Sequence, residues 1–205
     1  MKTQDLRQIF YSNLKNPPTT GQQDFLNQFS DYLLDKSSRK LFILKGYAGT
    51  GKTTMIDTVV KSLPSIKLKS VLLAPTGRAA KVISSYSKKQ AFTIHKKIYI
   101  KRNVDGIAQF VLNKNLHTNT IFVVDEASMI SSGVTINLGV LGKRALIDDL
   151  VEYVYSGKNC HLMFVGDTAQ LPPVGEQTSI SLNEKELDIS FHFGSIYSVE
   201  MKEVV

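Results

Sequence analysis

Eight consecutive residues carry the densest chemistry in this sequence. Gly46-Tyr47-Ala48-Gly49-Thr50-Gly51-Lys52-Thr53 sets two glycines around four residues and ends in Lys-Thr, the P-loop pattern. Glycines permit backbone angles that turn successive N–H groups toward one point and so make an anion nest. A helix opening after Gly51 aims its positive dipole end at the same point. Lys52 adds a mobile positive charge for the β- and γ-phosphates of ATP, and the Thr53 hydroxyl completes the shell of a Mg2+ ion. The expected nucleotide contacts are therefore Gly46, Ala48, Gly49, Thr50, Gly51, Lys52, Thr53 and Thr54.

Val123-Val124-Asp125-Glu126 is the natural complement. An apolar strand that ends in two carboxylates puts Asp125 at the carboxyl edge of a sheet, beside the Mg2+ held by Thr53. Glu126 is then placed to polarise an attacking water as general base. A solvated strand end is the bland alternative for such a pair. The glutamate discriminates between reactions, because P-loop kinases pass phosphate to a bound acceptor and do not need a water-activating carboxylate.

These groups need a sheet to hold them. Leu41–Leu44, Ser70–Ala74, Ile121–Val124 and His161–Val165 are short apolar runs, the mark of strands buried on both faces. Helical spacing covers Asp24–Leu34, Thr53–Leu63 (stopped by Pro64), Gly77–Ser87 and a stretch near Ala145–Tyr155. Strand and helix in alternation imply a parallel sheet with crossover helices. The expected fold is thus a single three-layer α/β domain with a mostly parallel sheet. Two stretches break the rhythm. Ile98–Ile100 and Gln109–Leu112, joined through Asn103-Val104-Asp105-Gly106, read as a β-hairpin inserted over residues 96–116. Ser131–Gly142 reads as a flexible loop, and residues 175–190 as a polar surface excursion.

Composition bounds the setting. The chain has 205 residues, enough for one domain with a buried core. No apolar run approaches the ~18–20 residues of a membrane helix, and Met1–Asn13 shows no secretory signal. A single cysteine, Cys160, fits a reducing compartment, so a cytoplasmic protein is expected. The four histidines lack metal-ligand spacing, which rejects a zinc site. The net charge of +7 is uneven: residues 1–45 carry +3, residues 46–117 carry +11 and residues 118–205 carry −7. So basic a middle third suggests a polyanion such as nucleic acid, against the alternative of a solvated surface.

Further stretches carry a resemblance. Ala74–Lys81 (APTGRAAK) resembles helicase motif Ia, Thr93-Ile94-His95 the DNA-contact motif that follows, Asp125–Met129 motif II, and Gly166–Val174 (GDTAQLPPV) motif III. With the P-loop, in this order and spacing, they resemble superfamily-one helicases of the RecD/Dda type over about residues 19–205. The resemblance implies a RecA-like motor domain that hydrolyses Mg2+-ATP and binds single-stranded DNA, moving 5′ to 3′. It implies that Gln22 in Thr20-Gly21-Gln22 reads the adenine edge, with Gln23 the neighbour it could be confused with. Gln170 is implied to touch the γ-phosphate and link nucleotide state to DNA grip, and Asp167 to order its loop. Pro75, Thr76, Arg78, Thr93 and His95 are the implied DNA contacts, with Lys88, Lys89, Lys96, Lys97, Lys101 and Arg102 around them. The hairpin lies where Dda-like enzymes insert a small wedge. Tyr99 or Phe110 could stack on a base there, or both could simply pack the hairpin down.

The family also carries a second RecA-like domain whose arginines close over the γ-phosphate. Val199–Val205 resembles the strand before the first of those arginines. The second domain is accordingly expected to be absent from this chain, a fragment or truncated product. Weak hydrolysis is expected of it, since an arginine finger is worth ~10³–10⁵ in rate, and no unwinding. An ATP-gated DNA-binding module without turnover and a non-helicase phosphotransferase remain the alternatives.

Overall fold

The structure is a computed structural model that describes residues 3–104, 107–133, 144–170, 173 and 179–205. Helices α1 (Thr3–Tyr11) and α2 (Thr20–Leu34) precede strand β1 (Lys40–Gly46) and helix α3 (Lys52–Ser62). Next come β2 (Lys69–Ala74), α4 (Gly77–Ser87), β3 (Ala91–Thr93) and α5 (Ile94–Ile98). The hairpin β4 (Tyr99–Val104) and β5 (Ile107–Leu112) leads into β6 (Thr118–Val124). The chain continues through α6 (Leu146–Tyr155), β7 (Lys158–Gly166), α7 (Glu184–Phe191) and β8 (Ser195–Met201).

Six strands form one sheet in the order β3-β2-β6-β7-β1-β8, and every neighbouring pair is parallel. The apolar strands alternate between its faces. In β1, Phe42 and Leu44 point toward α1, α2 and α3, while Leu41 and Ile43 point toward α5 and α6. This period of two buries the strand on both sides and makes three layers. Phe25, Phe29 and Tyr32 of α2 ring Phe42, with centroids 5.2–5.5 Å away. Truncating Phe42 to alanine at such a site costs about 3–5 kcal/mol.

Several boundaries differ from the periodicity. α2 starts at Thr20 rather than Asp24, because Thr19 caps it: Gln22 N–H donates to Thr19 Oγ1 (3.3 Å) and Thr19 N–H to Gln22 Oε1 (3.2 Å). Ile98 ends a helix rather than opening the hairpin. The polar stretch expected as a surface excursion holds a helix in its second half, α7, capped by Asn183 and anchored by buried Leu187. The Asp105-Gly106 turn, residues 134–142 of the expected loop, residues 175–178 of the excursion, and Leu171, Pro172 and Val174 of the last motif lie outside the described residues. No described helix is long and apolar enough to cross a membrane.

Candidate functional site

A parallel sheet brings all its strand ends to one edge, and the predicted residues sit along it in a fixed order. Thr93 ends β3, Pro75 and Thr76 follow β2, Asp125 and Glu126 follow β6, Asp167–Gln170 follow β7, and the P-loop follows β1. Three adjacent strands, β6, β7 and β1, therefore carry the glycine-rich loop and the acidic groups side by side. This is where ligands collect in open α/β sheets.

The loop is shaped by contacts that tolerate no side chain. Gly51 adopts φ +89° and Gly49 φ +80°, both left-handed. A Cβ on Gly51 would also strike the Gln22 amide, and one on Gly46 would lie 2.7 Å from Met201 O and Thr50 Oγ1. Gln22 is buried, its Oε1 committed to the α2 cap and its Nε2 laid against the P-loop. Gln23 is exposed and bonds Pro18 O. The two neighbours are thus distinguished by geometry.

Lys52 curls over the loop, donating to Gly46 O (2.7 Å) and Tyr47 O (2.8 Å), with Asp167 Oδ2 3.8 Å from its ammonium. Ala48, Gly49, Thr53 and Thr54 are open to solvent, whereas Thr50 is buried and donates to Tyr47 O (2.9 Å). Past β8 the chain runs by the loop, and Val205 N–H donates to Gly49 O (3.0 Å).

Asp125 receives Glu126 N–H at Oδ1 (3.0 Å) and the Tyr86 hydroxyl at Oδ2 (2.9 Å). Burial raises its pKa, a shift that the Tyr86 bond and the Lys52 charge work against. Burial and the same carboxylate raise the Tyr86 phenol further still, so it remains a donor. Glu126 is held in the left-handed region (φ +53°), a strain of about 1–3 kcal/mol of the kind that marks functional sites. Gln170 Nε2 donates to Glu126 Oε2 (2.8 Å), and Ser128 Oγ donates to Gln170 Oε1 (2.8 Å). Asp167 accepts Ala169 N–H (2.8 Å) and so orders its loop. Tyr86 was missed by sequence reading, because no motif or spacing links it to a carboxylate 39 positions away.

The residues expected to meet DNA are less uniform. Thr76 caps α4 by accepting Ala79 N–H (3.2 Å), and Thr93 caps α5 by accepting Lys96 N–H (3.2 Å). Thr76 and Arg78 line a cavity of about 460 Å³ shared with Asp125, Glu126 and Gln170. His95 is half-buried against Tyr99, with ring centroids 5.9 Å apart, and burial lowers its pKa. The basic run divides. Lys88, Lys96, Lys101 and Arg102 are exposed, but Lys89 donates to Ser70 Oγ (2.6 Å), near the opposite end of β2, and Lys97 covers the Phe92 ring. In the hairpin Tyr99 is a packing residue that donates to Asp149 (2.6 Å), while Phe110 is exposed.

Comparison with known proteins agrees with this geometry. A family model described as an AAA domain, AAA_19, matches residues 33–176. The chain belongs to the AAA_19 family. This AAA domain is 28% identical over 157 residues to the ATP-dependent RecD2 DNA helicase of Deinococcus radiodurans, covering 77% of the chain and 19% of the relative. It is 28% identical over 194 residues to the ATP-dependent DNA helicase dda of Enterobacteria phage T4, covering 91% of the chain and 39% of the relative. The crystal structure of Bacteroides sp Pif1 in complex with ADP-AlF4 shares its fold, with TM-score 0.52 and 19% identity over 91% of this chain and 42% of that one. The AAA domain therefore has a RecA-like fold, a mostly parallel six-stranded sheet flanked by helices with an antiparallel hairpin, and spans less than half the length of these relatives.

Proposed function

We propose that this chain is the nucleotide-binding half of an ATP-dependent DNA helicase motor, holding Mg2+-ATP at Gly46–Thr54 and single-stranded DNA along the ends of β2 and β3. The convergence of the P-loop, Asp125, Glu126 and Gln170 on three adjacent strand ends carries this reading. The loop N–H groups and Lys52 suit phosphate oxygens. The Thr53 hydroxyl and the Asp125 carboxylate are hard oxygen donors suited to Mg2+. A bound Mg2+ would neutralise charge developing on the β- and γ-phosphates. Glu126 takes a proton from the attacking water, and Gln170 fixes the orientation of that carboxylate. The Gln22 amide, wedged at the loop, is offered to the adenine edge.

Thr76 and Thr93 spend a lone pair on their helix caps and keep a hydroxyl proton for a DNA phosphate. Arg78 adds charge, and His95 acts as a neutral hydrogen-bonding group. One cavity lined by Thr76, Arg78, Glu126 and Gln170 puts the expected DNA and nucleotide contacts side by side, which supports a coupling of DNA grip to nucleotide state. The hairpin is a small insertion on the same domain. A 5′ to 3′ direction rests on the family resemblance. Fast turnover and strand separation require a second RecA-like domain that closes over the γ-phosphate, so these 205 residues by themselves are expected to hydrolyse ATP slowly.

Phosphate release in a single turnover, with and without an oligothymidylate, tests this. Nucleotide binding with feeble hydrolysis, whatever the DNA, is expected. Brisk DNA-stimulated hydrolysis contradicts the need for a second domain, and phosphate transfer to an acceptor other than water contradicts the motor reading.

A further inference from the structure

We infer that Tyr86 is a positioning residue of the metal site, acting through its phenol hydroxyl on the Asp125 carboxylate. The inference rests on the reading of this site as one for Mg2+-ATP. Tyr86 lies near the carboxyl end of α4, and its hydroxyl donates to Asp125 Oδ2 at 2.9 Å. The bond ties the last turn of α4 to the end of β6.

The Asp125 carboxylate is held at both oxygens, Oδ2 by the Tyr86 hydroxyl and Oδ1 by Glu126 N–H at 3.0 Å. The two bonds fix its rotation, so its remaining lone pairs are offered to a cation in one orientation. Groups that orient metal ligands in this way set the affinity of the site as well as its shape. α4 also opens at Thr76 and Arg78, so the helix that orders Asp125 carries two of the expected DNA contacts.

The test is a Mg2+ titration of fluorescent ATP-analogue binding to the full chain, comparing wild type with Tyr86→Phe. Phenylalanine keeps the ring and removes only the hydroxyl that holds Asp125. The half-saturating Mg2+ is expected to rise by about tenfold, the lower end of the usual loss on removing such a partner. Affinity for the nucleotide in EDTA and the melting temperature should stay at the wild-type values. Superimposable Mg2+ curves for the two proteins would overturn the inference while leaving the ATP site intact. Tyr86→Leu separates the ring from the oxygen: if leucine shifts the Mg2+ curve and phenylalanine does not, packing is responsible and the role of the hydroxyl is refuted. A wild-type chain that binds no nucleotide at all overturns the underlying reading, and this inference with it.

Discussion

The ends of β6, β7 and β1 and the ends of β3 and β2 share one sheet edge but are built differently. At the first, groups fixed by backbone and by buried side chains hold the site: two left-handed glycines, a buried glutamine against the loop, and Asp125 pinned by an N–H group and a phenol. At the second, the expected contacts are side chains with structural duties of their own, Thr76 and Thr93 as caps and His95 against Tyr99. A nucleotide polyphosphate demands a fixed cradle, whereas a sliding strand demands many weak, replaceable contacts. The two regions should therefore respond to mutation in opposite styles, steeply at the first and in small increments at the second.

The steepest response should come from Glu126→Gln, expected to lower hydrolysis by roughly 10²–10⁴ while nucleotide affinity is retained, the size of a general-base contribution. Single-turnover phosphate release checks this, and unchanged hydrolysis would remove Glu126 from the chemistry. On the DNA side Arg78→Ala should weaken single-stranded DNA binding only severalfold. It should lower the slope of log affinity against log salt by about one, as for one lost phosphate contact, read from anisotropy titrations at several salt concentrations. Thr76→Ala should cost about 1 kcal/mol of stability through its cap. At this chain length that is about 2–4 °C in melting temperature, measurable by calorimetry. The smallest effect concerns pH. Burial holds the His95 imidazole below its ordinary value of about 6.5, so it is uncharged from pH 7 upward. Wild type and His95→Gln should accordingly show parallel DNA affinities between pH 7 and 8.5, and a slope present only in wild type would make His95 a charged contact.

The same contrast explains what the sequence discloses. The P-loop and the Asp-Glu pair are legible because their chemistry is local: a run of eight residues and a strand end fix the geometry. The four apolar runs read as strands each lie inside observed strands, since burial on both faces leaves little choice of residue. The helix over Gly77–Ser87 appears at its expected limits, Thr76 capping one end and left-handed Lys88 closing the other. Short or polar elements are hidden. β3 has three residues, all partly exposed, α5 has five, and α7 buries only Leu187, so none carries a periodic signal. Tyr86 on Asp125, and Lys89 turned to the far end of β2, are long-range contacts that no spacing rule encodes.

Paired titrations of a fluorescent ATP analogue and of single-stranded DNA into wild type and Lys52→Ala test the central claim most directly. The ammonium sits over the P-loop on Gly46 O and Tyr47 O, remote in strand order from β2 and β3. Loss of a charged phosphate contact worth about 1.5–3 kcal/mol predicts nucleotide affinity falling by roughly tenfold to over a hundredfold. DNA affinity without nucleotide should be unchanged. Retained nucleotide binding, or a parallel loss of both ligands, would contradict a motor domain with a rigid phosphate cradle at one end of its sheet edge and a separate strand-binding face at the other.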